Sequence, residues 1–287
     1  MGSLNTVEKV NKDVQNGGYS SAFASTFRRD NWWLEPLTTG LGFLVFIIYS
    51  TWAAFQGKHY WYESYLSPFY SPLLFIESSA PGAAPLSHAW FGSWPSWWPK
   101  IIPSSPALLI LIGPLSFRLT CYYYRKFYYR AYFASPPTCG VTALPQKNYK
   151  GEEGLFLFQN IHRYTMYVAI FYIVVLCYDC FSAFFRNGVF GIGVGNIIML
   201  VNVALLSCYT LGCHALRHLI GGSRNCFSCE NGGEHLSYKI WKPVSWLNSR
   251  HMFWAWVSLI WVGFTDFYIR MVSMGIFPDV STWGPTS

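Results

Sequence analysis

The stretch Leu211-Gly212-Cys213-His214-Ala215-Leu216-Arg217-His218-Leu219-Ile220 decides how the rest of the chain is read. It closes an apolar run that begins near Val189. It sets a thiol, two imidazoles and a guanidinium into the last turns of a hydrophobic helix. At helical spacing His214 and His218 share one face, and Cys213 and Arg217 share the neighbouring one. Polar groups at the end of a membrane helix are costly unless something uses them. What uses these four is the functional question.

Working outward, the whole chain has the composition of a membrane protein. Only 11% of its residues are charged and 52% are hydrophobic, against about 25% charged in a soluble domain. Fourteen Trp and twenty Tyr fit aromatic belts at the two interfaces. The net charge of +7 does not point to nucleic acid, because the basic residues sit in loops between apolar runs. The polar arm 1–27 lacks the apolar stretch of a signal peptide and is read as retained. Several cysteines lie inside apolar runs, where packing or metal ligation fits better than a disulfide framework.

The expected fold is all-α, with five transmembrane helices in a domain over 28–277. Spans fall at about 37–55, 107–124, 156–185, 189–219 and 251–277, and 278–287 forms a tail. Arg28 to Trp33 reads as an interfacial anchor. The long loop 58–106 is rich in Pro, Trp and Tyr and is expected to pack as a cap on the membrane surface. Gly113-Pro114 predicts a kink in the second span, which runs on towards Arg130. Asn187-Gly188 turns the chain. Gly191, Gly193 and Gly195 let helices approach closely. Lys and Arg concentrate in the arm and in loops 125–155 and 220–250. The positive-inside rule therefore places the N-terminus in the cytoplasm and the C-terminus outside. A transporter built on inverted repeats is disfavoured, since five spans do not divide evenly.

This topology brings Cys121, His162, Cys213, His214, His218 and His251 to one cytoplasmic layer, drawn from four helices. Imidazole and thiolate together suit iron, zinc or copper, and facing helices are a usual home for such sites. Histidines on facing helices suit a bis-His haem. Two cysteines with two histidines suit a Rieske-type two-iron cluster. Arg118 and Arg217 either stabilise a reduced quinone or snorkel to the headgroups. Tyr124, its neighbours Tyr122 and Tyr123, and Trp32 offer an apolar slot with a polar tip for a quinone ring, or an ordinary aromatic belt. Cys226-x-x-Cys229, with His235, resembles half of a zinc site, and reduced thiols are the simpler reading. Asp179 and Asp266 are expected to pair with Arg186 and Arg270.

Seven segments together carry a family resemblance: Arg28–Pro36, Tyr49–Phe55, Tyr65–Pro72, Phe117–Lys126, Asn160–Tyr164, Cys213–His218 and Asn248–Met252. They resemble the five-span membrane anchor of actinobacterial-type succinate dehydrogenase, a succinate:menaquinone oxidoreductase of the kind found in mycobacteria. The likeness runs from about Arg28 to Phe277. It implies a subunit of the bacterial plasma membrane that does not itself oxidise succinate. A flavoprotein and an iron–sulfur subunit dock on its cytoplasmic face, with room for a small extra membrane subunit and a trimeric assembly. It further implies a Rieske-type [2Fe-2S] centre with Cys121 and Cys213 as thiolate ligands. Two of His162, His214, His218 and His251 complete it, with His162 and His218 the favoured pair. Quinone, or menaquinone, is expected to bind nearby and take its electrons from this centre, with Arg118, Arg217 or His251 stabilising the reduced oxygens and Tyr124 or Trp32 packing the ring. Cys213 and His214 are adjacent and helical, unlike the ligands of soluble Rieske proteins. That leaves a b-type haem, or a cofactor-free anchor, as the alternatives.

Overall fold

The computed structural model describes residues 22–144, 155–222, 226 and 236–283. The described chain is mostly helical. Four helices are long and apolar enough to cross a membrane, with a fifth if a broken pair counts as one span. They are α1 (Leu34–Gln56), α5 (Leu155–Ser182), α6 (Val194–Leu211) and α9 (His251–Ser273). The broken pair comprises α3 (Ile112–Thr120), led in by the single turn α2 (Ala107–Ile110), and α4 (Tyr122–Ala131). Two shorter helices, α7 (His214–Gly221) and α8 (Leu236–Ser249), precede α9. The chain divides into two compact units. Of the described residues, one unit holds those up to Val45 with those from 122 to 155, and the other holds those from 46 to 121 with those from 156 onward.

In the smaller unit Phe43 of α1 packs on Tyr124 and Phe127 of α4. The Tyr132 hydroxyl donates to the Gly40 carbonyl at 2.9 Å. A short antiparallel bridge joins Thr26 to Val141. Arg28 ties it together, bonding the Asp30 carboxylate, the Thr138 hydroxyl and the Cys139 carbonyl.

The larger unit is the bundle proper. In α6 the side chain of Asn196 turns back to accept from the Gly193 N–H at 2.8 Å, satisfying a donor that the helix start leaves open. Asp279 accepts from the Gly195 N–H at 3.2 Å, where a helix N-terminus favours a carboxylate. Trp261 ties α9 to α6 by donating to the Ile198 carbonyl at 3.0 Å. The stop of α9 is a Schellman motif: Gly275, at φ +71°, donates to Val272, and Ile276 donates to Met271. Large apolar side chains such as Val45, Ile48, Val174 and Ile260 are exposed along the spans, as lipid-facing residues are.

Four features sharpen or change the sequence reading. The second span is not continuous: Cys121 is extended (φ −61°, ψ 131°) between α3 and α4. The fourth apolar run is three elements. Val189–Phe190 is strand β4, paired with β3 (Phe185–Arg186) across Asn187 and Gly188, both at positive φ as a two-residue Asn-Gly hairpin requires. Helix α6 then stops at Leu211, and Cys213 is extended before α7. Third, the glycines ahead of and in α6 make room for rings rather than helices. A Cβ on Gly195 would run into the Tyr65 ring, and one on Gly191 into Trp283.

Fourth, the loop 58–106 is a folded piece. It carries the hairpin β1 (Trp61–Tyr62) and β2 (Tyr65–Leu66). Tyr60 stacks on Tyr70 at 4.3 Å, and burial pushes the Tyr60 phenol up to about 12. The Tyr70 hydroxyl donates to Ala53 at the end of α1. The expected ion pairs form in part. Asp266 and Arg270 pair, both fully buried. Arg186 pairs with Asp279 instead, while Asp179 accepts from the Ser71 hydroxyl.

Candidate functional site

Two helix breaks build the site, because each places a thiol on non-helical backbone. At the first, Cys121 keeps one bond back, N–H to the Arg118 carbonyl at 3.2 Å. At the second, Gly212 is decisive. A Cβ there would come within 2.7 Å of the Cys208 carbonyl and 3.2 Å of the Leu247 side chain. The Gly212 carbonyl freed by the break is taken by the Asn248 amide at 2.9 Å. Both sulfurs are buried, with Cys121 3% and Cys213 1% exposed. Cys213 stands at the start of α7 as its N-cap, on extended backbone.

Each thiol meets one imidazole. His162 of α5 places Nε2 3.0 Å from the Cys213 sulfur. His251, the first residue of α9, places Nε2 3.6 Å from the Cys121 sulfur. His162 Nδ1 lies 2.9 Å from the Thr120 hydroxyl, which fixes how the ring is turned. His251 Nδ1 is buried with no hydrogen-bond partner. A column of rings joins the two pairs. Phe117 stacks on His162 at 4.8 Å, Tyr209 meets Phe117 edge-on at 5.5 Å, and His251 stacks on Tyr209 at 5.0 Å. The Arg118 guanidinium lies 4.6 Å over Tyr209 and donates to the Ala255 carbonyl and the Ser258 hydroxyl. It points across the bundle to α9 rather than snorkelling.

The structure thus brings together Cys121, His162, Cys213 and His251, with Arg118 beside them. It does not bring in His214, His218 or Arg217. The break at Cys213 changes the register of α7, so His214 and His218 are exposed. His218 Nδ1 instead lies 3.5 Å from Arg163. Arg217 is held by the Ser245 hydroxyl at 2.9 Å and lies over Trp241. Trp32 and Tyr124 belong to the smaller unit, where Tyr124 is buried against Phe43. Sequence reading missed Thr120, Phe117 and Tyr209, the residues that seat the imidazoles. Their only signal is helical spacing: Phe117 and Thr120 are three apart on α3. Among the described residues no three His, Cys, Asp or Glu side chains gather to share a single metal ion. Cys226 is in a disulfide rather than a reduced thiol, and Cys229 and His235 lie outside the described residues.

Fold and site together define a multi-pass membrane protein with a buried thiol–imidazole layer inside an apolar helical bundle. The family model for the actinobacterial succinate dehydrogenase subunit SdhC matches residues 34–275, and the chain belongs to that family. It is also similar to a chain of the Mycobacterium smegmatis Sdh1 complex in the apo form. The two share 44% identity and a TM-score of 0.77, over 92% of this chain and 96% of that one. No curated protein matches.

Proposed function

We propose that this chain anchors a succinate dehydrogenase in the bacterial plasma membrane and carries electrons from its iron–sulfur subunit to a quinone. One observation carries the reading: two buried thiols and two imidazoles face each other in a bundle of this family. The likeness to a chain of an Sdh1 complex supports flavoprotein and iron–sulfur partners. The basic loops 125–155 and 220–250 support a cytoplasmic docking side, with the N-terminus inside.

The donor set fits a two-iron cluster better than a single ion. Such a cluster takes two protein ligands on each iron, thiolates and imidazoles together. Cys121, Cys213, His162 and His251 would hold it, and when bound it would supply one-electron transfer into the bundle. This chain's residues do the rest. Phe117 and Tyr209 stack on the imidazoles and exclude water. Thr120 holds His162 Nδ1. Arg118 offers a fixed positive charge to the oxygens of a quinone, which takes up two electrons and two protons to become the quinol. The unpartnered His251 Nδ1 is placed to hold one of those protons.

Purification in mild detergent with reduced-state optical and EPR spectra tests this. Co-purifying flavoprotein and iron–sulfur subunits, a Rieske-type signal and no haem bands are expected. His162→Ala should remove the signal and quinone reduction while succinate oxidation by an artificial acceptor persists. Haem α-bands would reassign the histidines as axial ligands. Neither chromophore would leave a cofactor-free anchor.

A further inference from the structure

We propose that residues 86–102 form a wedge inserted into the bilayer, packed against acyl chains of the leaflet at the Gln56 end of α1. On the orientation proposed above this is the outer leaflet. The sequence alone reads this segment as part of a surface cap. Three observations move it downward.

The first is depth. The Trp90 ring packs edge-on against Phe171 at 6.2 Å. Phe171 stands at the midpoint of the span Asn160–Ser182, ~16 Å from its end at ~1.5 Å per residue. That is about half the thickness of a hydrocarbon core. Ser71 already bonds Asp179, below the end of α5. The strand-like run from Leu73 that pairs with residues 90–94 therefore descends beside α5.

The second is the outward face. Trp90, Phe91, Trp97 and Ile101 are all more than half exposed, Ile101 at 92%. Lys100 is the only charged residue from 86 to 102. Through Trp90 and Phe171 this face is continuous with the lipid-facing side of α5, where Val174 and Phe181 are also exposed.

The third is the backbone. Irregular chain enters lipid at lower cost where its polar groups are satisfied within the protein, and here the paired residues of the segment, though not all of it, meet that condition. Here Trp90 and Phe91 donate to Leu73 and Leu74, both at 2.9 Å, and Trp94 donates to Ile76 at 3.0 Å. Trp98 and Ile102 donate to Pro95 and Pro99, and the Trp98 indole donates to the Ile102 carbonyl at 3.1 Å. Prolines at 85, 95, 99 and 103 have no N–H to satisfy.

Site-directed spin labelling of the reconstituted complex tests the wedge. Phe91→Cys and Ile101→Cys are labelled separately, and the labelled wild-type protein gives the background from native thiols such as Cys139. In phospholipid vesicles, relaxation of both nitroxides should be enhanced by oxygen, which partitions into lipid, and hardly by a water-soluble nickel chelate. Ready access of the chelate at both sites would place the loop in water and overturn the proposal. Nitroxides shielded from both reagents would mean that protein, a neighbouring subunit or a second copy, covers the face, and would overturn it equally. Should one variant fail to assemble, the other decides.

Discussion

Removing either member of the buried pair Asp266–Arg270 should destabilise the bundle strongly, whereas removing both charges together should not. The carboxylate accepts from Arg270 Nε and Nη2, both at 3.2 Å, from the Tyr49 hydroxyl at 2.6 Å and from the Ser67 hydroxyl. The guanidinium also donates to the Lys58 carbonyl at 2.8 Å and faces Trp52. Both side chains are fully buried. Arg270→Met leaves a carboxylate with two neutral donors. Asp266→Asn leaves a guanidinium with only neutral acceptors, the Lys58 and asparagine carbonyls, and an indole face. Each single change strands a buried charge, at about 3–5 kcal/mol. In the double variant the asparagine carbonyl still accepts from a hydroxyl and no charge remains. Its cost should fall to that of the lost hydrogen bonds, about 1–3 kcal/mol, so the coupling is several kcal/mol. The assay is unfolding of the detergent-solubilised complex for wild type, both singles and the double. Additive losses would refute the reasoning, because they would mean that the pair is solvated or that its other partners carry the cost.

The second thiol depends on the break at Gly212. Gly212→Ala forces a Cβ against the Cys208 carbonyl and Leu247, an overpacking cost of about 1–3 kcal/mol, and should diminish the EPR signal more than it lowers complex yield. An equal loss of both would show that position 212 matters only for folding. His59, outside the spans, has its imidazole pushed down by burial, helped by the charges of Arg270 and Lys58. Its folded state disfavours the proton, so stability is full above the unfolded value of about 6.5 and declines as pH falls below it. The melting temperature should drop on acidification, and less so in His59→Gln. An identical drop in the variant would assign the acid sensitivity elsewhere.

The existence and number of apolar spans were legible because hydropathy over a bilayer length is a strong, local signal. Where the helices break was not. Nothing within 189–219 marks Gly212 as a stop, since glycine is common in membrane helices. What ends α6 there is Leu247 and Asn248 of α8, some 35 residues later in the chain. The error in the site follows from that one. On an uninterrupted helix His214 and His218 point with Cys213 into the layer. With the break, the extended Cys213 turns its sulfur inward to His162 while the imidazoles of α7 rotate out. His251 was legible as a member of the layer, but its pairing with Cys121 depends on the second break, at a residue where the sequence placed an unbroken helix. Helical periodicity assigns faces only within one helix, and both thiols sit where a helix has stopped. Extended residues at a break can aim a sulfur across the bundle. That geometry explains why the two cysteines stand outside helices while the two histidines that face them stand within α5 and α9.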